Sequence, residues 1–481
     1  MIQMLGSRRR CCDGITRRET LRAGALSALG GFSLGDLLRS EAQSADRAGR
    51  SPIRNVMVVY LLGGAATQDM WDLKPDAPAE IRGEFKPIPT SAPGVSISEM
   101  LPRTAQWMHR AALVRSVNHS AGCHNTLPSY TGYEVPLADI TTIKDSYPPS
   151  MGSVVRYLEQ RDGDAEIPAY VYLPCYLGWG QNIRRPGPYG GFLGRRFDPL
   201  FTECAPYKDP DAPAASPGQP RVVRGAPILP YTTLPDQMTL DRLDSRKSLL
   251  AQMDDELRRI EGSIAVRQQS RLKEQAFGIL TSHSAKAAFD LTTVPEPRQE
   301  RYGKTLFGNS MLIGRRLLSA GVRFVNVTWD LFWDRIPIDY DAWDTHTRNF
   351  QILKENKLPY LDHTLTALLE DLDASGELDE TLIVVMSEMG RTPKINANAG
   401  RDHWTYCYSI AFFGGGIRGG TVYGASDAHA AYVKDRPAST ADICATVYKS
   451  LGIDPAATVP DRIGRPVGIA HGGVPIDEIL G

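Results

Sequence analysis

Short, unbroken apolar runs, each closed by a polar loop, constrain this chain more than any other feature. They are Asn55–Leu62 (NVMVVYLL), Ala111–Val117 (AALVRSV), Ala169–Leu173 (AYVYL), Val322–Thr328 (VRFVNVT), Thr381–Met386 (TLIVVM) and Tyr408–Phe413 (YSIAFF). Runs of this length, rich in β-branched residues and without a polar alternation, read as strands buried on both faces. Helical patterns fall between them. Ser98–Met108 starts at a capping Ser98, and Ser150 caps a helix through Glu159. Tyr302–Ala320 closes at Gly321, and Phe350–Ser375 repeats leucine at helical spacing. Ser439–Leu451 opens on Ser439-Thr440-Ala441-Asp442, a capping pattern. Strands alternating with helices imply an α/β fold, a doubly wound, mostly parallel sheet with helices on both faces.

No strong linker and no internal repeat divides residues 46–481, so a single domain is expected there, with a loop-and-helix insertion around 175–290. Within it, Cys175–Gln237 is dense in Pro and Gly and reads as an excursion over one sheet edge. Leu240–Asp290 reads as a solvated amphipathic helical hairpin. Residues 1–45 read as an export signal instead of fold. Arg8-Arg9-Arg10 and Arg17-Arg18 precede a mild apolar stretch, Ala23–Leu38, and small residues at Ala42–Ala45 offer a cleavage site. The paired arginines point to the twin-arginine route and a periplasmic or extracellular destination, with Thr20 standing where that pattern prefers a large apolar residue. No segment of the mature chain reads as a membrane span.

The chain has 481 residues, 42% hydrophobic and 23% charged, with a formal charge of −1. That balance gives no electrostatic case for a nucleic-acid partner. Two of the seven cysteines, Cys11 and Cys12, lie in the signal. The other five are scattered and form no zinc ribbon or disulfide framework. Buried free thiols are expected, with Cys175 and Cys204 the one candidate pair for a disulfide.

In a parallel sheet the strand carboxyl ends share one rim, and that rim collects the chemistry. Asp69 and Asp72 follow the first run, and His119 and His124 the second. Asp344 and His346 follow the Val322 run, and Glu388, Asp402 and His403 the Thr381 run. Acids with histidines suit a divalent cation such as Zn, Mn, Mg or Ca. Arg391, Lys394 and Arg401 suit a tetrahedral anion. His119 and His124 also fit a packing role against Cys123 and Tyr130. Gly414-Gly415-Gly416 reads as a turn, since no Lys-Ser/Thr follows it as a phosphate-binding loop requires.

Five stretches resemble the DUF1501 family of exported bacterial proteins. They are Gly63-Gly64 through Asp69 to Trp71-Asp72-Leu73-Lys74-Pro75, Ile81–Ile88, Asp344-Thr345-His346, Ser387–Asn396 and Gly400–Trp404. That family is similar in fold to the alkaline phosphatase and sulfatase superfamily, so the resemblance implies an alkaline phosphatase-like core and hydrolysis of phosphate or sulfate esters at a metal site. Asp69 matches the superfamily's first-strand acid, Glu388 its late acid and His403 its final metal histidine. Asp344 and His346 fall near its other Asp/His pair. Met389 stands where the superfamily has a histidine, and the sulfatase Cys-x-Pro-Ser-Arg pattern is absent. The expected site is therefore Asp69, Asp344, His346, Glu388 and His403 on metal, Ser120, Thr126 or a water as nucleophile (Cys123 lies nearby), and Arg391 on the anion. The substrate is a small-molecule or polysaccharide ester. The alternative is a non-catalytic binding or scaffold protein on the same fold.

Overall fold

A seven-residue apolar strand must hide both of its faces, and β1 (Asn55–Leu61) does so at the middle of the sheet. The computed structural model describes residues 53–159, 168–179, 183–208, 223–229, 283–329 and 343–481. The expected export signal and most of the expected helical hairpin lie outside the described residues. The sheet comprises β1, β2 (Ala111–Val117), β3 (Tyr170–Leu173), β4 (Leu200–Phe201), β5 (Phe324–Trp329), β6 (Thr381–Met386), β7 (Tyr408–Gly414) and β8 (Thr421–Tyr423). Their order is β8-β2-β7-β6-β1-β5-β3-β4. In register, Val58 of β1 lies between Asn326 of β5 and Val384 of β6.

Alternate residues of β1 enter two separate cores. Met57, Val59 and Leu61 pack on one face, and Val56, Val58 and Tyr60 on the other. The first core is roofed by the helices Leu306–Ser319 and Leu358–Ala374, the second by Met151–Glu159 and Thr440–Ser450. Helices therefore cover both faces, as a sheet of wholly apolar strands requires. The capping box is present: Ser439 Oγ accepts from Asp442 N at 3.1 Å, and Asp442 Oδ2 from Ser439 N at 2.8 Å.

One strand departs from the parallel expectation. β7 runs antiparallel to both β6 and β2, while every other pair in the sheet is parallel. The apolar run of β7 carries no sign of its direction, because both directions bury it equally. The consequence is local: residues 387–407 leave β6 and enter β7 at the same rim.

Two expected helices also differ. Of Ser98–Met108, only Thr104–Arg110 is helical, as a 3-10 turn, and Ser96–Ser98 is a short strand paired with Pro87–Pro89. Pro102 disfavours the helical region at the residue before it. The turn is capped from afar, by the Asp362 carboxylate accepting from Thr104 N at 2.7 Å and Arg103 N at 3.0 Å. The long helix begins at Asn349 and passes through a π turn, Leu353–Lys357, that ends two residues before Pro359. Proline has no N–H to continue the ladder there, which accounts for the shifted pairing. The excursion after Cys175 does return to the sheet edge, as β4 beside β3.

Candidate metal centre

The rim is drawn together by backbone groups. Gly63 and Gly64, with φ of 111° and 87°, turn the chain out of β1. A Cβ on Gly63 would sit 2.7 Å from Asp344 N, so only glycine admits the Asp344 segment there. Trp343 N donates to Leu62 O at 2.8 Å. At the end of β6, Ser387 Oγ donates to Leu61 O at 2.7 Å, and Glu388 Oε1 accepts from Gly63 N at 2.9 Å. His119 Nε2 donates to Glu388 O at 2.7 Å while its Nδ1 accepts from Ala121 N at 3.2 Å, which ties the loop after β2 to the loop after β6.

On this frame His124, Asp344 and His403 present ligand atoms that all lie within 4.8 Å of one another. His124 Nε2 is 3.3 Å from Asp344 Oδ2, and His403 Nε2 is 3.2 Å from Asp344 Oδ1. His346 stands beside them, its Nε2 3.0 Å from Asp344 Oδ1 and 2.9 Å from His403 Nε2. His124 adopts a positive φ of 52°, a conformation that costs energy in a residue with a Cβ and concentrates at functional sites.

The proton positions follow from the neighbours. Glu388 Oε1 lies 3.3 Å from His124 Nδ1, and Asp402 Oδ1 lies 2.8 Å from His346 Nδ1. A carboxylate only accepts, so each Nδ1 carries the hydrogen and each Nε2 turns a lone pair inward. Those lone pairs and the Asp344 oxygens face one another. Acceptors turned on acceptors repel unless a proton or a cation lies between them. Tetrahedral bonds of about 2.0–2.1 Å to a zinc-like ion give ligand-to-ligand edges of about 3.3 Å, close to the separations seen here. The carboxylates behind His124 and His346 are the orienting partners that metal-bound histidines ordinarily have. The donor set thus fits a divalent cation.

Charge follows the same pattern. Burial opposes ionisation of Asp344, but His124, His403 and Arg391 hold its carboxyl well below the usual range. Burial likewise opposes ionisation of Glu388, and His124 lowers it. Burial works against a charged His124, yet Asp344 and Glu388 raise its pKa. His403 is lowered by burial and by the nearby Arg391 guanidinium, against the pull of Asp344.

Of the residues expected on metal, the structure gathers Asp344, His346 and His403. Glu388 stands one step back, against His124. Asp69 is elsewhere: Arg401 Nε donates to its Oδ2 at 2.8 Å, Arg401 Nη2 to its Oδ1 at 2.8 Å, and Asn349 Nδ2 to Oδ2 at 2.9 Å. Arg391, expected on a substrate anion, is 1% exposed. Its Nε donates to Gly64 O at 2.7 Å, its Nη1 to Arg401 O at 3.1 Å, and its Nη2 to Gly63 O and Asp344 Oδ1. It is a brace for the centre. Thr126, expected as a nucleophile, is fully buried, and its hydroxyl donates to Pro186 O at 2.5 Å. Ser120 is exposed, as is Cys123. His124 is the member of this cluster that the expected site lacks. Its loop position after β2 was visible, but the choice between packing and ligation turned on Asp344, which is remote in sequence.

A family described as "Protein of unknown function (DUF1501)" matches residues 53–480. No curated protein matches the chain. Among solved structures, a phosphonate monoester hydrolase from Silicibacter pomeroyi is similar at 13% identity and a TM-score of 0.32, covering 88% of this chain and 78% of its own. A sulfatase from Pseudoalteromonas sp. is similar at 11% identity and 0.34, covering 86% and 70%. An alkaline phosphatase superfamily protein from Vibrio parahaemolyticus is similar at 10% identity and 0.35, covering 89% and 71%. Likeness at this level carries no activity across to this chain.

Proposed function

The chain belongs to the DUF1501 family, and from that premise we propose that it is a divalent-metal-dependent hydrolase of phosphate or sulfate esters, small or polysaccharide-borne. The observation that carries this reading is the convergence of His124, Asp344 and His403 within 4.8 Å, with the Nε2 lone pairs of His124 and the neighbouring His346 turned toward the Asp344 carboxylate. A bound divalent ion supplies Lewis acidity toward the ester oxygen. Asp344 supplies the negative charge of the ligand set. Glu388 and Asp402 fix the tautomers of His124 and His346. Arg391 clamps Asp344 to the turn after β1.

The charge balance favours an anionic ester. Two carboxylates, Asp344 and Glu388, face two buried guanidinium groups, Arg391 and Arg185, whose fields act on them. The exposed Asp402 adds one negative charge beside His346. A divalent ion then leaves the centre net positive while the imidazoles are neutral, and such a field attracts phosphate or sulfate.

The test is metal analysis of the folded protein after loading with zinc, manganese, magnesium or calcium, followed by a panel of aryl phosphates and aryl sulfates before and after chelation. Stoichiometric metal with chelator-sensitive hydrolysis is expected. Absence of any bound divalent metal after loading overturns the proposal. One observation favours a second reading, a metal-binding protein without catalysis: the Thr126 hydroxyl is committed to Pro186 O. Bound metal with no hydrolysis of any ester in the panel would select it. In either reading we take the protein to be exported by the twin-arginine route, on the strength of the arginine-rich start of the chain. Among the described residues no helix is long and apolar enough to cross a membrane.

A further inference from the structure

Cys175 and Cys204 bracket the excursion that leaves β3 and returns to the sheet edge as β4. Their sulfur atoms lie 3.6 Å apart, across a sequence separation of 29 residues. Both side chains are buried, at 3% and 6% exposure, and pack together on Leu306. The sulfurs are in contact, and a disulfide of about 2.0 Å requires them to approach by about 1.6 Å.

The backbones that carry them are joined independently of sulfur. Thr202 N donates to Tyr172 O at 3.2 Å, and Thr202 Oγ1 to Pro174 O at 2.5 Å, beside each cysteine in turn. Cys204 is further paired with Pro227 in a short antiparallel ribbon. The other described cysteines have different surroundings. Cys407 Sγ donates to Arg115 O at 3.5 Å, Cys444 is fully buried within the helix Thr440–Ser450, and Cys123 is exposed at the metal centre.

We propose that Cys175 and Cys204 close to a disulfide that staples this excursion. The bracketed segment includes Arg185, whose Nη1 donates to His124 O at 2.7 Å, and Pro186, whose carbonyl accepts from Thr126. The staple therefore fixes the wall behind His124. Closure needs a disulfide oxidant such as glutathione disulfide. One cysteine thiolate attacks it and releases a glutathione thiolate. The second cysteine thiolate then displaces the remaining glutathione from the mixed disulfide. In sum, two protein thiols lose two electrons and two protons, and one glutathione disulfide becomes two glutathione thiols.

The test is refolding of the full chain in glutathione buffers of increasing disulfide content, alkylation of remaining thiols, and peptide mapping without reductant. The expected result is a single cross-linked species containing Cys175 and Cys204, with Cys123, Cys407 and Cys444 alkylated. Reduction should lower the unfolding midpoint by about 3 °C, as closure of a loop of this size predicts for a chain this long. Cys175→Ser and Cys204→Ser should each abolish that response to reductant. Recovery of both cysteines alkylated at the highest glutathione disulfide ratio, or cross-linked elsewhere, overturns the proposal. If the serine variants do not fold, the peptide map of the unaltered chain decides alone. None of these readouts depends on bound metal, so the result stands apart from that of the hydrolase test.

Discussion

Asp69 and Asp344 come from loops on the same rim, yet their surroundings are opposite. Asp69 is met entirely by donors: both oxygens by Arg401, and one also by Asn349. Arg401 directs its other N–H groups at the carbonyls of Ile81, Thr392 and Pro393. The pair is closed on itself, with three of the roughly four acceptor sites of the Asp69 carboxylate taken by donors. Asp344 is met by Arg391 and by the Nε2 atoms of His124, His346 and His403. Two of those imidazoles already spend their N–H on carboxylates, so they face Asp344 with lone pairs. A carboxylate at a strand end becomes a candidate ligand when its neighbours are acceptors, and a structural ion pair when they are donors.

Substitution at each aspartate should separate the two. Asp344→Ala should remove metal, lowering affinity by at least about 100-fold, while the protein stays folded; titration calorimetry and metal analysis read this. Asp69→Ala should do the reverse, leaving the Arg401 charge buried without its partner. A loss of about 3–5 kcal/mol in denaturant unfolding is expected, with metal per folded molecule unchanged. If Asp69→Ala instead emptied the site of a still-folded protein, Asp69 would belong with the ligands and not with a structural ion pair.

A third aspartate offers a pH test. Burial pushes the Asp198 carboxyl up to about 6, against a hydrogen bond from Gly190 N and the nearby Arg156. Its folded pKa exceeds its unfolded one, so the folded state holds the proton more tightly. This group's stabilisation is complete below the unfolded pKa and is lost as pH rises through about 6. Asp198→Asn should therefore gain on the parent chain by about 2–3 kcal/mol between pH 4 and pH 7, read as the difference between two unfolding series. A flat difference across that range would contradict it.

Glu388→Gln keeps the shape but weakens the grip on His124 Nδ1. Metal affinity should fall by about 10- to 100-fold without complete loss, a smaller effect than at Asp344. The smallest change is expected at Thr126→Val. Removing its hydroxyl from Pro186 O should cost about 1–2 kcal/mol of stability and leave the hydrolysis rate per bound metal unaltered. A collapse of the rate would restore Thr126 as a nucleophile.

Most of the fold was legible because the apolar runs are long enough to demand burial on both sides. Each of the six runs became a strand, and the capping box at Ser439 formed as its residues dictate. The turn at Thr104 was less legible, since its cap comes from Asp362, far along the chain. The candidate centre was half legible. Asp344, His346 and His403 stood out as polar residues after buried strands, and the structure gathers them. Asp69 and Arg391 stood out for the same reason, and the structure commits them to internal bonds. His124 carries the same loop signal, but a packing role fits its local sequence equally well, and nothing local separates the two.

Sequence alone determined that this chain builds a covered α/β sheet whose rim carries acids and histidines, because apolar periodicity and strand-end polarity are local properties. Tertiary structure decided the direction of β7, which of the rim acids found donors, and which faced lone pairs. Those outcomes depend on groups hundreds of residues apart, such as Asp69 with Arg401 and Glu388 with Gly63. Hydrogen bonding between such groups is set by the geometry of the packed sheet, and no local pattern in the sequence encodes it.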